Sequence, residues 1–223
     1  MPHLPLFPLG TVLCPGAPLP LRIFEPRYVA MLADLAGGPQ QPARFGVIAI
    51  RTGHEVGAHN ARSLHRVGCV AVLRDVARQE DGSYAITTVG SERFALRGIV
   101  DDGFMRTPYH VGSVEWLPER VSDTERVESL ARIVRTRLVV YRRMFGDEVE
   151  TGEGRAPGDA TELSYRVGQL VALPMEDRQA LLECPDTDAR LALAARLLRR
   201  EQVLVSTLKA VPGTAQAPPF SAN

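Results

Sequence analysis

The sequence has 223 residues, of which 45% are hydrophobic, enough for one large domain or two small ones with a substantial core. Its 26 basic and 26 acidic side chains give a formal net charge of zero. Because a neutral chain has no long-range attraction for phosphate backbones, the composition argues against non-specific nucleic-acid binding.

The first half of the sequence has the apolar patterns of a β-rich domain. Apolar stretches at residues 4–7 and 19–24 are interrupted by prolines, which cannot donate to a sheet ladder, so we expect edge strands or extended connectors there. Pro26 stands where a first helical turn would begin, and apolar residues follow at helical spacing. Gly37 and Gly38 end this run, which predicts a short helix of about three turns.

Further strands are predicted in the middle of the chain. The segment FGVIAI at residues 45–50 is continuously apolar, which predicts a strand buried on both faces. Asp81 and Gly82 separate two strand-like segments and predict a β-hairpin. The predicted strands after the first helix are residues 45–50, 67–76, 84–89, 93–99 and 109–117, with a polar loop at 51–65.

The apolar residues recur at steps of three and four after Pro118, which predicts an all-helical second half. Ser122 or Asp123 is expected to cap its first helix, and Asp186 or Asp188 to start its last. The predicted helices cover residues 127–145, 161–173, 175–183 and 186–210. The predicted organisation is therefore a β-rich domain at 1–117, a helical bundle at 118–210 and a disordered tail at 211–223.

Several catalytic classes are excluded by the lysine content. The only lysine is Lys209 and no lysine follows a glycine, so a P-loop ATPase is excluded, as is Ser-Lys or Schiff-base chemistry unless Lys209 is buried. Gly152 and Gly154 resemble a dinucleotide turn, but no strand precedes them and we interpret them as part of a flexible acidic loop. We expect no enzyme activity, although a triad assembled by the fold from distant residues is left open.

Metal ions and cofactors are not expected either. His54 and His59 are five residues apart, so on a helix they would point about 140° apart and would not share a face. Cys14, Cys69 and Cys184 are far apart in sequence and odd in number, which argues against a disulfide framework or a zinc site.

No targeting signal is expected at the start of the chain. The first ten residues lack a basic region and are broken by prolines, unlike a signal peptide. No uncharged apolar run approaches the roughly 20 residues that span a bilayer. We therefore expect a cytoplasmic location and no membrane partner.

A set of short motifs carries a family resemblance across residues 4–208. The motifs are LPLFPLG at 4–10, LCPG at 13–16, LPLRIFEPRY at 19–28, FGVI at 45–48, VGC at 67–69, DGSY at 81–84, GSERF at 90–94 and VEWL at 114–117. In the helical part they are residues 163–173, QALLE at 179–183 and RL at 190–191. Together they closely resemble the amino-terminal substrate-recognition domain of Lon proteases, in the version found in short stand-alone proteins.

The resemblance implies an α+β fold, with an amino-terminal PUA-like β-pseudo-barrel and a short helix followed by a carboxy-terminal helical bundle. It also implies a non-catalytic protein- or peptide-recognition module, as an adaptor or regulator of proteolysis, with unfolded or partly exposed polypeptide segments as partners. The ATPase and protease domains of Lon and the linker to them are absent from this sequence, so we expect no transfer of a substrate in cis.

An alternative function is RNA binding, because other PUA-like barrels bind RNA. That function requires a basic strand face lined by aromatic side chains, and we find no such pattern in this sequence. Nucleic acid is therefore an unexpected partner, and the sequence does not predict an oligomeric state.

The motif from Phe24 to Tyr28 has two interpretations. In the functional one, Glu25 and Arg27 lie at the rim of a peptide groove, and Phe24 and Tyr28 are its apolar anchors. In the structural one, the motif is a strand-to-helix corner, with Glu25 near the helix amino terminus and Tyr28 buried. We favour the structural interpretation and keep the four residues as a candidate peptide-binding site.

Overall fold

The computed structural model describes residues 1–38, 42–53, 61–100, 107–146, 159–208 and 221–222, and the chain divides into two units. The first unit, Met1–Pro118, also takes in Ser221 and Ala222, and the second unit begins at Glu119. Most of the predicted tail at 211–223 lies outside the described residues.

The first unit is built from strands and one helix. Its elements are β1 (His3–Leu9), β2 (Pro18–Ile23), α1 (Pro26–Gly37), β3 (Arg44–Gly53), β4 (Ala61–Leu64), β5 (Val67–Arg78), β6 (Tyr84–Ile99), β7 (Val111–Leu117) and β8 (Ser221–Ala222).

Five of these strands close into a ring. β1 pairs in parallel with β3 and antiparallel with β7. β5 pairs antiparallel with both β3 and β6, and β6 pairs antiparallel with β7, so the pairings lead back to β1. β2 adds to the first half of β6, and β4 adds to the end of β3. The sheet is therefore a β-pseudo-barrel.

One apolar cluster fills the interior of the barrel. Its buried members are Leu4, Leu6, Ile48, Val70, Phe94 and Val114. Gly68 leaves the space that the Phe94 ring needs, because a Cβ at Gly68 would lie 2.4 Å from Cζ of Phe94 and 2.5 Å from the carbonyl oxygen of Val47. A side chain at Gly68 would displace the ring that fills the barrel.

Helix α1 packs on the outer side of β1 and β3. Side chains alternate along a strand, so Phe7 points away from the interior that holds Leu6. The rings of Phe7 and Phe45 lie 5.7 Å apart and are both fully buried. Tyr28 and Met31 of α1 are buried as well. This second apolar layer attaches the helix to the barrel.

β1 lies inside the sheet, so the prediction of an edge strand or connector for the first apolar stretch is wrong. The amide of Leu6 donates to the carbonyl oxygen of His110 at 2.8 Å, on the β7 side. By strand alternation, an N–H at position 8 would also face β7. The pairing of β7 with β1 ends at Pro5, so no ladder hydrogen bond is lost at Pro8. The N–H that Pro5 lacks would face β3, whose pairing begins at Leu6. Each proline therefore lies where a partner strand has ended.

Two further sequence predictions need correction in the barrel. The predicted loop at 51–65 contains the end of β3, which continues to Gly53, and the whole of β4. The two strands predicted at 84–89 and 93–99 are one strand of 16 residues, β6. Its pairing with β5 shifts register twice, and these irregularities interrupt the apolar alternation that marks a single strand.

The second unit is helical in its described residues. Its helices are α2 (Thr124–Arg143), α3 (Ala160–Leu170), α4 (Met175–Glu183) and α5 (Thr187–Leu208). Their shared core includes Val134 and Leu138 of α2, Leu163 of α3, Leu181 of α4 and Leu198 of α5. With the barrel and this bundle, the predicted α+β fold class is confirmed.

Helices α2 and α5 run in the same direction, which places their amino termini together. Asp188 near the start of α5 accepts hydrogen bonds from the amides of Ser122 and Asp123 at 2.9 and 3.1 Å. Further along, the Gln202 side chain donates to the carbonyl oxygen of Arg137 at 2.7 Å. Two parallel helix dipoles repel at their ends, and the carboxylate of Asp188 offsets that repulsion.

The predicted helix caps can now be assigned to single residues. Asp123 caps α2 and accepts from the amide of Arg126. Asp186 accepts from the amide of Ala189 at 2.7 Å, which is the geometry of a cap on α5. Asp188 instead joins the two helices.

Candidate functional site

The four residues of the candidate peptide-binding site lie at the corner between β2 and α1, here called the β2–α1 corner (Phe24–Tyr28). Phe24 and Glu25 connect the two elements. Glu25 has extended backbone angles, φ −69° and ψ 131°, and Pro26 follows in the first helical turn. Proline has a fixed φ that suits this position and lacks an N–H that the helix would leave unpaired.

Phe24 is the exposed aromatic member of the β2–α1 corner. Its exposed fraction is 45%, whereas Leu21 and Ile23 just before it are fully buried. The side chains of β2 alternate between core and solvent, and Phe24 continues this alternation on the solvent side. A large ring at this position can contact a partner without any rearrangement of the core.

Glu25 and Arg27 form an ion pair within the β2–α1 corner. A guanidinium nitrogen of Arg27 lies 3.0 Å from Oε2 of Glu25, and their side chains are only 15% and 10% exposed. The guanidinium also lies over the ring of Tyr28, 4.5 Å from its centroid. The carboxylate stands at the amino terminus of α1, where the helix dipole favours negative charge. Both charged groups therefore hold the corner in place.

Tyr28 belongs to the core. It is 1% exposed, and its ring stacks on that of Phe7 with centroids 4.1 Å apart and planes inclined by 27°. A bound peptide can reach Phe24 directly but cannot reach the Tyr28 ring. The geometry thus brings the four residues together while giving them different surroundings.

A charged hairpin borders β2 near the corner. Arg22 donates to Oγ of Ser83 at 3.2 Å and forms an ion pair with Asp81. Asp81 also accepts from the hydroxyl of Ser83 at 2.6 Å and from its amide at 3.0 Å. These hydrogen bonds from Ser83, with a further contribution from Arg22, lower the pKa of Asp81 to about 2.

A second polar contact lies on α1. The hydroxyl of Tyr109 donates to Asp34 at 2.7 Å. Partial burial, followed by the bond to the Asp34 carboxylate, raises the pKa of Tyr109 above its ordinary value. The pair ties the segment before β7 to the helix.

Sequence reasoning missed a buried arginine in the helical unit. The side chain of Arg190 is fully buried and donates to Glu119 at 3.0 Å, to Ser164 at 3.1 Å and to the carbonyl oxygen of Leu181 at 3.3 Å. It lies 3.8 Å above the ring of Tyr165, whose hydroxyl also donates to Glu119. The sequence signal for this site was an arginine on an apolar helix face. The hydrogen bonds of Arg190 connect three helices and the segment at the start of the unit, and they satisfy its buried charge.

The other candidates from the sequence are histidines, glycines and cysteines. His54, His59, Gly152 and Gly154 lie outside the described residues. Within the described ranges, no group of three or more His, Cys, Asp or Glu side chains could hold a metal ion. The three cysteines are buried thiols. No helix in the part of the chain that the structure describes is long and apolar enough to cross a membrane.

A β-pseudo-barrel followed by a helical unit is the fold of the class of Lon amino-terminal domains. The family model for the substrate-binding domain of the ATP-dependent protease La (LON) matches residues 3–200. The chain therefore belongs to the LON substrate-binding domain family, as the motifs at the start of the sequence indicated.

Relatives and solved structures agree with this membership. Lon protease from Anaeromyxobacter dehalogenans and Lon protease 2 from Myxococcus xanthus are each 28% identical over 91% of this chain, which spans 24% of their length. A Lon N-terminal domain protein from Xanthomonas campestris is 25% identical with a TM-score of 0.61. The N-terminal domain of a Mycobacterium avium complex Lon protease is 16% identical with a TM-score of 0.65, and both comparisons cover 89% of this chain and 98% of the other.

Proposed function

We propose that this chain is a non-catalytic recognition module that binds exposed segments of unfolded or partly unfolded polypeptide. The observation that carries the proposal is the match to the LON substrate-binding domain across residues 3–200. The matched part of the relatives is about a quarter of their length, so catalysis by those proteins does not transfer to this chain. We extend the proposal to a role as an adaptor or regulator of proteolysis in the cytoplasm.

Phe24 is the residue that we propose as the first contact. Its ring is 45% exposed and stands on a corner in which Glu25 and Arg27 are paired and Tyr28 is buried. Burial of a large apolar side chain against a partner contributes about 1.5–3 kcal/mol. A rigid support preserves this gain, because little conformational entropy is lost when the partner binds.

The charge of the chain favours polypeptide over nucleic acid as the partner. Its formal net charge of zero gives no long-range attraction for a phosphate backbone. An exposed apolar ring instead complements the apolar side chains that an unfolded protein exposes. Since such contacts are few and transient, we expect dissociation constants in the micromolar range.

The test compares two forms of one model protein. Fluorescence anisotropy would measure binding of labelled lactalbumin, either native or reduced and carboxymethylated so that it stays unfolded. We expect micromolar binding of the unfolded form and at least tenfold weaker binding of the native one. Absence of binding to the unfolded form at several hundred micromolar, or equal binding of both forms, would contradict the proposal. Tighter binding of a structured RNA would favour the alternative function.

A further inference from the structure

One side of β2 is almost unpaired in the described residues. β6 pairs with β2 along its full length, from Pro18 to Ile23. On the other side, β8 pairs in parallel with β2 at two positions, where Leu21 faces Ser221 and Arg22 faces Ala222. This side is here called the β2 edge.

The backbone groups at the β2 edge follow from strand alternation. The amide of Gly90 donates to the carbonyl oxygen of Ala17 at 2.9 Å, so Ala17 faces β6. The register stays constant through β2, and the N–H and C=O of alternate residues therefore point to opposite sides. The residues that point to the β2 edge are Pro18, Pro20 and Arg22.

Two of these three residues cannot donate a hydrogen bond. Pro18 and Pro20 lack an N–H, so they present only carbonyl oxygens, and Arg22 supplies the N–H of this edge. Prolines on an edge strand prevent extended pairing with other sheets. The β2 edge is thus closed to a long strand but can pair with a short segment beside Arg22. β8 occupies that position.

We propose that the β2 edge is a strand-binding site for an extended segment of unfolded polypeptide, and that β8 competes with this segment for the same backbone groups. The proposal rests on the proposed function and names its site and its regulation. Strand addition recognises mainly backbone, so it accepts many sequences, as binding of unfolded polypeptides requires.

The parallel direction of β8 also relates the β2 edge to Phe24. A parallel segment that pairs with Arg22 runs toward the β2–α1 corner. Its side chain two residues after the one opposite Arg22 comes alongside Phe24, because successive residues on two parallel strands stay in step. Backbone pairing at Arg22 and apolar contact at Phe24 would then act on one bound segment.

The first test removes the competing strand from the full chain. Replacing both Ser221→Pro and Ala222→Pro deletes the amides of β8 and disfavours its pairing. While β8 is paired with β2, the site is closed to other segments, and the apparent affinity falls in proportion to the fraction of molecules whose site is open. We therefore expect the double variant to bind unfolded lactalbumin about threefold to tenfold more tightly. The Arg22 amide should also exchange its hydrogen faster. If the double variant binds no more tightly than the natural chain and has the same circular dichroism, the proposed competition by β8 is contradicted.

The second test removes the edge donor itself in that double variant. Arg22→Pro deletes the N–H that faces the edge without removing a bond to β6, and Arg22→Ala is the matched control that deletes the side chain but keeps the N–H. We expect Arg22→Pro to bind unfolded lactalbumin at least fivefold more weakly than Arg22→Ala, by the loss of about one hydrogen bond. Equal affinities of the two variants would contradict the proposed binding site at the β2 edge.

The two proposals fail in different ways. If neither the natural chain nor the double variant binds unfolded lactalbumin, the proposed function fails and the competition falls with it. If the natural chain binds and the double-proline variant binds no more tightly, the competition alone fails and the proposed function stands.

Discussion

The ring of Tyr28 stacks on the ring of Phe7 with centroids 4.1 Å apart, and this contact joins α1 to β1. Both side chains are buried, and Phe7 also lies against Phe45 of β3. The stack therefore anchors the helix that follows Phe24. We expect the stability of the corner to depend on it.

We predict that Tyr28→Ala destabilises the first unit by about 3–5 kcal/mol, because it removes a buried ring and leaves a cavity beside Phe7. Urea unfolding followed by fluorescence of Trp116, which lies in the same unit, would measure the change. Tyr28→Phe keeps the ring and should cost less than about 1.5 kcal/mol. Similar losses of stability in both variants would show that the ring stack is not the main contribution of Tyr28 to stability.

The Glu25–Arg27 pair should contribute more to stability than an exposed pair. Glu25→Gln leaves the Arg27 guanidinium largely buried without its counter-charge, and we expect a loss of about 1–3 kcal/mol. The matched control is Glu115→Gln, which breaks an ion pair with Arg97 whose side chains are 53% and 50% exposed. It should cost no more than about 1 kcal/mol. Urea unfolding of both variants would decide, and equal losses would contradict the predicted difference.

The acid titration of Asp81 tests the hairpin beside β2. Its pKa is about 2 in the folded chain against an ordinary value of 3.8. A lowered folded pKa stabilises the fold above the unfolded value, and this stabilisation is lost as the pH falls from about 4 through 2. Carboxyl chemical shifts from NMR should give a midpoint near 2.

Ser83→Ala should raise the pKa of Asp81 part of the way toward 3.8, because it removes the hydroxyl hydrogen bond, the largest cause of the depression, while the bond from the backbone amide remains. Arg22→Ala should raise it by less. The reverse order would assign the low pKa to the arginine charge instead.

Arg190 should be essential to the helical unit. Arg190→Ala removes a buried cation from Glu119, Ser164 and the face of Tyr165, and we expect a loss of about 3–5 kcal/mol. Arg190→Lys keeps the charge but lacks the planar fork that reaches several acceptors, so it should recover only part of that loss. Helical circular dichroism during urea unfolding would measure both. Full recovery by lysine would contradict a role for the fork.

Much of the fold could be predicted because its signals are local. Pro26 predicts the start of α1, Gly82 marks the β5–β6 hairpin, and Pro174 precedes α4 at the predicted boundary. These residues act through their own backbone geometry, which depends little on the rest of the chain. The motifs likewise indicated the family before any coordinates.

The rest depends on contacts between distant residues. Pro5 and Pro8 suggested an edge strand, yet β1 is interior because it pairs with two strands. The prolines are tolerated because these two partners cover different halves of β1. Arg190 lies on the apolar face of α5, but no local pattern shows that the fold brings Glu119 and Tyr165 to it. Tyr28 is buried against Phe7, a partner that lies 21 residues earlier and that no local pattern identifies.

Polypeptide recognition through the β2–α1 corner is tested most directly by the affinity of Phe24→Ala for unfolded lactalbumin. The matched control is Ile99→Ala, since Ile99 is 43% exposed on the same unit and Phe24 is 45% exposed. We predict that Phe24→Ala weakens binding about tenfold or more, equivalent to about 1.5–3 kcal/mol of lost apolar burial, while Ile99→Ala changes it less than twofold. Equal effects of the two substitutions, or no effect of Phe24→Ala, would contradict this assignment.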